Sequence, residues 1–101
     1  MNNSTYHIFF RNLANPIKIK ILSELKIKKS SVSELSKKTG IEQSKLSHSL
    51  ASLKVCNIVK VEQKGKQRIY SLNKETIIPI LELIDKHAKT FCNKNCAGCE
   101  K

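Results

Sequence analysis

At 101 residues the chain is the size of one domain, and a domain this small buries only about 60 to 65% of its unfolded-chain surface. Its core is therefore expected to be marginal and completed by a second copy. Nineteen Lys and Arg against eight Asp and Glu give a formal net charge of +11, which points to an anionic partner, nucleic acid first. Two Tyr, three Phe and no Trp make a poor stacking platform for single strands, so duplex DNA fits better. The opening MNNSTYHIFF has no basic stretch leading into an apolar run, and no segment is long and apolar enough to span a bilayer; a cytoplasmic protein without a membrane partner is expected. Of four cysteines, Cys92, Cys96 and Cys99 crowd into the last ten residues, which reads as thiol or metal chemistry rather than a disulfide framework.

Residues 5 to 14 form a first helix, with Ile8, Phe9 and Leu13 on one side. Asn15-Pro16 is a helix start, a capping amide followed by proline where a missing N–H costs nothing. Ile17, Ile21, Leu22 and Leu25 are the apolar stripe of that second helix, and Lys28-Lys29 suits its negative end. Ser31-Val32-Ser33-Glu34 has the form of a capping box; the short helix it opens turns Val32 and Leu35 inward and stops at Thr39-Gly40. After Ile41-Glu42, a further helix runs from Gln43 with Leu46, Leu50 and Leu53 at i, i+4 and i+7. Helix, glycine turn and helix make a helix-turn-helix.

Beyond Asn57 the period becomes alternating. Ile58–Glu62 and Gln67–Leu72 are strand-like, and Gln63-Lys64-Gly65-Lys66 is the loop of a hairpin wing. From the cap residue Asn73 a last helix carries Ile77, Ile80, Leu81, Ile84, Ala88 and Phe91 on one side, with Pro79 delaying its regular start by about a turn. The expected fold is mainly α with a small β-hairpin wing. Residues 1–91 would form the winged-helix domain and 92–101 a Cys-rich tail.

If Leu46, Leu50 and Leu53 face the core, Ser44, Lys45, His48 and Ser52 point away from it, flanked by Gln43 and Ser47. That face holds no acidic side chain. Short hydroxyl, amide and imidazole groups can approach base edges, and Gln pairs with adenine in a bidentate way. A plain solvated helix face would mix Glu with Lys, which is not the pattern after Glu42. Lys64, Lys66 and Arg68 around Gly65 suit phosphate or minor-groove contacts. A basic hairpin alone is weak evidence, but beside a helix-turn-helix the two elements address one kind of partner.

On these residues, Asn15 to Leu72 resembles the ArsR/SmtB family of winged-helix repressors. NPIKIKIL (15–22) is similar to the family's Asp-Pro-Thr-Arg-x-x-Ile-Leu opening, and QSKLSHSLASL (43–53) to the Gln-Ser-x-x-Ser-His-x-Leu of its recognition helix. Asn57-Ile58-Val59 and a basic wing with Tyr70 continue the likeness. The resemblance implies a homodimer joined through the first and last helices, with Gln43, Ser44, Ser47 and His48 reading double-stranded operator DNA. It further implies release of that DNA when a metal or other inducer binds. A lone His48 would ordinarily be a surface residue; its place in the matched motif favours DNA reading.

The family's sensor sites are not matched. Where many members have Cys-x-Cys, this chain reads Ser31-Val32-Ser33, and hydroxyls are poor ligands for soft ions. Asp85-Lys86-His87 supplies only half of a second known site, with no histidine after it, so an exposed helix end is the plainer reading. What remains is Cys92, Cys96 and Cys99, at spacings of four and three. Three thiolates suit arsenic(III) or another thiophilic ion, while zinc would need a fourth ligand such as His87, Cys56 or a group from a second subunit. Cys56 itself reads first as a small buried residue. The spacing also resembles the cluster loop of radical-SAM enzymes, but no barrel fits in this chain, so an iron–sulfur cluster is the weaker alternative. Thiol oxidation competes with metal binding, and an idle tail is the bland reading. No cofactor is required for the fold. The expectation is a DNA-binding regulator controlled at these cysteines, and not an enzyme; the alternatives are a constitutive DNA-binding protein with no sensor and, more weakly, a small thiol or metal carrier.

Overall fold

The computed structural model describes residues 3–91. In chain order it contains α1 (Asn3–Leu13), α2 (Pro16–Ile27), β1 (Ser30–Ser31), α3 (Val32–Thr39), α4 (Gln43–Val55), β2 (Val59–Lys64), β3 (Gln67–Leu72) and α5 (Ile77–Thr90). The strands form one antiparallel sheet in the order β1-β3-β2, and the whole is a winged helix-turn-helix.

Local chemistry sets the helix boundaries. Asn15 Oδ1 accepts from the backbone N–H of Ile17 at 3.0 Å and of Lys18 at 3.1 Å, and Pro16 occupies the first helical position of α2. Ser31 Oγ accepts from Glu34 N at 3.2 Å while Ser31 N donates to Glu34 Oε1 at 2.9 Å, so the capping box closes on itself and satisfies two otherwise orphan donors. At the other end of α3, Gly40 takes a φ of +76°, a left-handed setting that costs glycine little. Side chains then brace the turn: Ser36 Oγ donates to Ile41 O at 2.7 Å, and Ile41 N donates to Thr39 Oγ1 at 3.2 Å. The angle between α3 and α4 is thus held by directed bonds on both sides of the glycine.

Packing completes the unit. Ile21, Leu22 and Leu25 of α2, Leu35 of α3 and Leu46, Leu50 and Leu53 of α4 meet Ile58, Val59, Tyr70, Leu72 and Ile77 in one buried cluster. The three α4 leucines are fully buried, and each contributes roughly 1.5 to 3 kcal/mol by leaving water. Val32 packs against the cluster from outside, as do Phe9, Leu13 and Ile17.

Several expectations need correction. Ile8 does not share the core side of α1; it is half exposed. The wing loop is tighter than the four residues expected, because Lys64 and Gln67 already pair and leave a two-residue turn, Gly65-Lys66. Gly65 supplies the positive φ, +61°, that such tight turns demand at their first central position. The hairpin also gains a third strand: Ser30 and Ser31 pair with Tyr70 and Ile69. At the base of the hairpin Asn57, with φ +57°, accepts at its carbonyl from Asn73 Nδ2 at 2.9 Å. Asn73 N donates to Ile58 O at 3.0 Å. Regular α5 begins at Ile77, about a turn after Asn73, as the position of Pro79 suggests. Asn73 still opens that turn, its Oδ1 accepting from Glu75 N at 3.0 Å and its carbonyl from Ile77 N at 3.0 Å.

Candidate nucleic-acid interface

The N-terminal half of α4 is the exposed polar surface of the helix-turn-helix. Gln43, Ser44, Lys45, Ser47 and His48 are all exposed, while Leu46 and Leu50 between and beyond them are fully buried. Their mutual contacts are few and weak. Gln43 Nε2 lies 3.5 Å from Ser33 Oγ, and Ser44 Oγ donates to Glu42 Oε1 at 3.3 Å. Glu42 sits at the N-cap of α4 and makes no side-chain cap bond, so the first N–H groups of this helix have no partner from that side chain.

Ser52 does not belong with these residues. It is half-buried, its hydroxyl donating to Asn12 Oδ1 at 3.1 Å and accepting from Lys18 Nζ at 2.9 Å. The 100° wheel places it away from the leucines, but 80° round from Ser44, where α1 and α2 approach. Its hydroxyl is spent on tertiary bonds rather than offered to a base.

On the wing, Lys64 ends β2, Lys66 lies in the turn and Arg68 stands in β3, all exposed. None of the three makes an ion pair among the described residues. Two elements therefore present uncompensated basic or neutral polar groups, the arrangement that phosphates and base edges require.

For the sensor residues the outcome is divided. Cys92, Cys96 and Cys99 lie outside the described residues. His87 is exposed on α5 with its ring 5.3 Å from that of Phe91, and Asp85 is engaged by Lys26 of α2 in an ion pair. Cys56 caps the C-terminal end of α4, half-buried, its Sγ accepting from Asn12 Nδ2 at 3.2 Å. Ser31 and Ser33 are poor donors for a soft ion, and both groups of Ser31 are already consumed by the capping box. No group of three His, Cys, Asp or Glu stands close enough to hold a metal ion among the described residues.

Sequence reasoning missed Asn12 and Lys18. Asn12 is the one residue of α1 that is buried, at 9% exposure, and Lys18 Nζ donates to its Oδ1. The available signal was an amide between Phe9 and Leu13, on the side of α1 that packs, where a polar side chain must find partners.

Known proteins share both the sequence and the shape. Residues 15–61 match the family model for bacterial regulatory proteins of the arsR family. The HTH-type transcriptional regulator Rv0081 of Mycobacterium tuberculosis is 37% identical over 79 residues, which span 77% of this chain and 69% of that protein. Its crystal structure superposes with a TM-score of 0.83 at 30% identity, over 93% of this chain and 95% of that one. The structure of the transcriptional repressor BigR from Xylella fastidiosa gives a TM-score of 0.68 at 27% identity, over 89% and 85%. Among the described residues no helix is long and apolar enough to cross a membrane. With the motif, the fold and the relatives in agreement, this chain belongs to the arsR family of bacterial regulatory proteins and is a DNA-binding transcriptional regulator, not an enzyme.

Proposed function

We propose that the chain is a homodimeric repressor that binds double-stranded operator DNA. Gln43, Ser44, Ser47 and His48, with Lys45, read bases in the major groove, while Lys64, Lys66 and Arg68 hold phosphates or the minor groove. The observation that carries this reading is the two-sidedness of α4: its leucines are fully buried, and the residues exposed over its first two turns are polar and none is acidic. BigR, which shares the fold, is described as a transcriptional repressor. The dimer is supported by α1 and α5, whose Phe10, Leu83 and Ile84, with Phe91 at the C-cap of α5, remain exposed in a chain too small for a large core of its own.

Residues 1–91 carry this DNA-binding role, and the Cys-rich tail 92–101 carries the signal. Cys92, Cys96 and Cys99 bind arsenic(III), zinc or another thiophilic ion, or are oxidised, and operator affinity falls in response. His87 at the end of α5 is the described side chain that stands nearest along the sequence to join such a site. The tail proposal rests on the donor set alone, three thiols in eight residues. A ligand that prefers the DNA-free dimer must weaken DNA binding by the same factor by which DNA weakens it.

The test uses duplexes selected from a random library by the wild-type chain. Gln43→Ala is expected to lose about 1 to 3 kcal/mol on the selected duplex only, and Lys66→Ala to weaken all duplexes and lower the salt slope by about 1. Equal effects of both variants on selected and random DNA would overturn base reading by α4. For the signal, arsenite, zinc and an oxidant are titrated against the bound complex; a Cys92, Cys96 and Cys99 triple Ser variant that responds as wild type does would remove the sensor and leave a constitutive DNA-binding protein.

A further inference from the structure

We infer that Asn12, with Lys18 and Ser52, is a positioning unit that sets the recognition helix α4 against helix α1. This rests on the dimeric, DNA-reading function proposed above. The Asn12 amide is saturated: its Oδ1 accepts from Lys18 Nζ and from Ser52 Oγ at 3.1 Å, while Nδ2 donates to Cys56 Sγ at 3.2 Å and to Ser52 O at 3.5 Å. Lys18 Nζ also donates to Ser52 Oγ at 2.9 Å. Because an ammonium can only donate, Lys18 fixes which end of the amide is oxygen. One side chain of α1 thus binds α2 and α4 at once, across sequence separations of 6 to 44 residues.

The apolar contacts of α1 cannot do this alone. Phe9 and Leu13 are only half-buried, and apolar contact is non-directional, so it resists separation more than it resists sliding. Bonds from a charged donor to oxygens in a partly buried site are directional and strong. They also act at the right place. Ser52 and Cys56 are at the C-terminal end of α4, whereas Ser44 is eight residues away, about 12 Å along the helix axis. A tilt of about 10° pivoting at Ser52 would move Ser44 by about 2 Å, enough to break a hydrogen bond to a base edge. Since α1 belongs to the proposed dimer interface, the same bonds set the distance and angle between the two recognition helices of the dimer.

The experiment measures spacing discrimination. The selected duplex is compared with one in which a base pair is inserted between the half-sites, a change of about 3.4 Å along the axis and about 34° in rotation. Wild type is expected to bind the inserted duplex at least about tenfold more weakly. Asn12→Ala and Ser52→Ala are expected to shrink that ratio to about threefold or less, with random-duplex affinity and dimer mass unchanged. Asn12→Asp keeps the acceptor for Lys18 and Ser52, and is expected to restore most of the discrimination. Ser52→Ala, at a half-exposed position, serves if Asn12→Ala fails to fold. A merely structural role would lower the melting temperature and leave the ratio at its wild-type value. That result in Ser52→Ala, or an equal loss of affinity for selected and random duplexes, overturns the inference. A wild-type chain with no spacing preference would instead sink the dimeric reading beneath it, and this inference with it.

Discussion

The helix-turn-helix unit and the two outer helices bury their apolar residues to very different degrees. From α2 to α4 Ile21, Leu22, Leu25, Leu35, Leu46, Leu50 and Leu53 are buried and Ile17 is half-buried, with Ile19, Ile27 and Val55 left at the surface. In α1 and α5 the large apolar side chains are half-buried or open: Phe10 is 58% exposed, Leu83 64% and Phe91, which caps α5, 72%, and Ile77 is the one buried residue of α5. The same composition of Ile, Leu and Phe therefore serves two ends. Inside the unit it holds α2, α3 and α4 together in one buried cluster; outside, it leaves a surface whose burial depends on association, and a contiguous patch of that kind marks an interface on a soluble domain.

Substitutions can break or sharpen that contrast. The largest effect is expected in the closed part: Leu50→Ala removes a fully buried side chain and should cost about 2 to 5 kcal/mol, read by chemical denaturation, with DNA binding lost as the unit unfolds. In the open part, Leu83→Glu should change the stability of one subunit by about 0.5 kcal/mol or less yet shift the dimer to monomer, read by sedimentation over a concentration series. A Leu83→Glu chain that stays dimeric would place the interface elsewhere. Ser31→Ala should cost about 1 kcal/mol, since it removes the cap of α3 but no core contact.

The smallest effect concerns pH. The Ser31 N–H bond holds the Glu34 carboxyl below its ordinary value of 4.5, aided by the neighbouring Lys28 and opposed by desolvation. A depressed folded-state value means that the contribution is complete above the unfolded value and fades as pH falls through the folded one. Glu34→Gln should therefore flatten the acid-side fall in melting temperature below about pH 4.5 and leave the neutral side with a constant offset.

Much of this arrangement can be read along the chain because its signals are local. Asn15-Pro16, Ser31 with Glu34, and Thr39-Gly40 each carry their cap within four residues, and each forms as the spacing predicts. What escapes is set by residues distant in sequence. Ser30-Ser31 has neither alternation nor branched side chains; it is a strand because Tyr70 and Ile69 offer their backbone. Ser52 reads as a DNA contact on a helical wheel, and only the approach of Asn12 and Lys18, 40 and 34 residues away, turns it inward. The exposed face from Gln43 to His48 was legible because it depends on the period of one helix and on nothing outside it.

The wing is closed at both ends by different means, by Gly65 at its tip and by the Asn57–Asn73 bond at its base. Between them run six paired positions, Val59 with Leu72 through Lys64 with Gln67. Such a ribbon can be extended at the tip without disturbing the helices, but only in even increments: hydrogen-bonded and non-hydrogen-bonded pairs alternate along an antiparallel ladder, so two residues per strand return the kind of pair that the two-residue turn closes, whereas one per strand would put the turn on the other kind. Each such step lengthens the reach of the basic tip by about 7 Å, so the span of DNA that this scaffold can touch is graduated, in units set by the pleat of a strand.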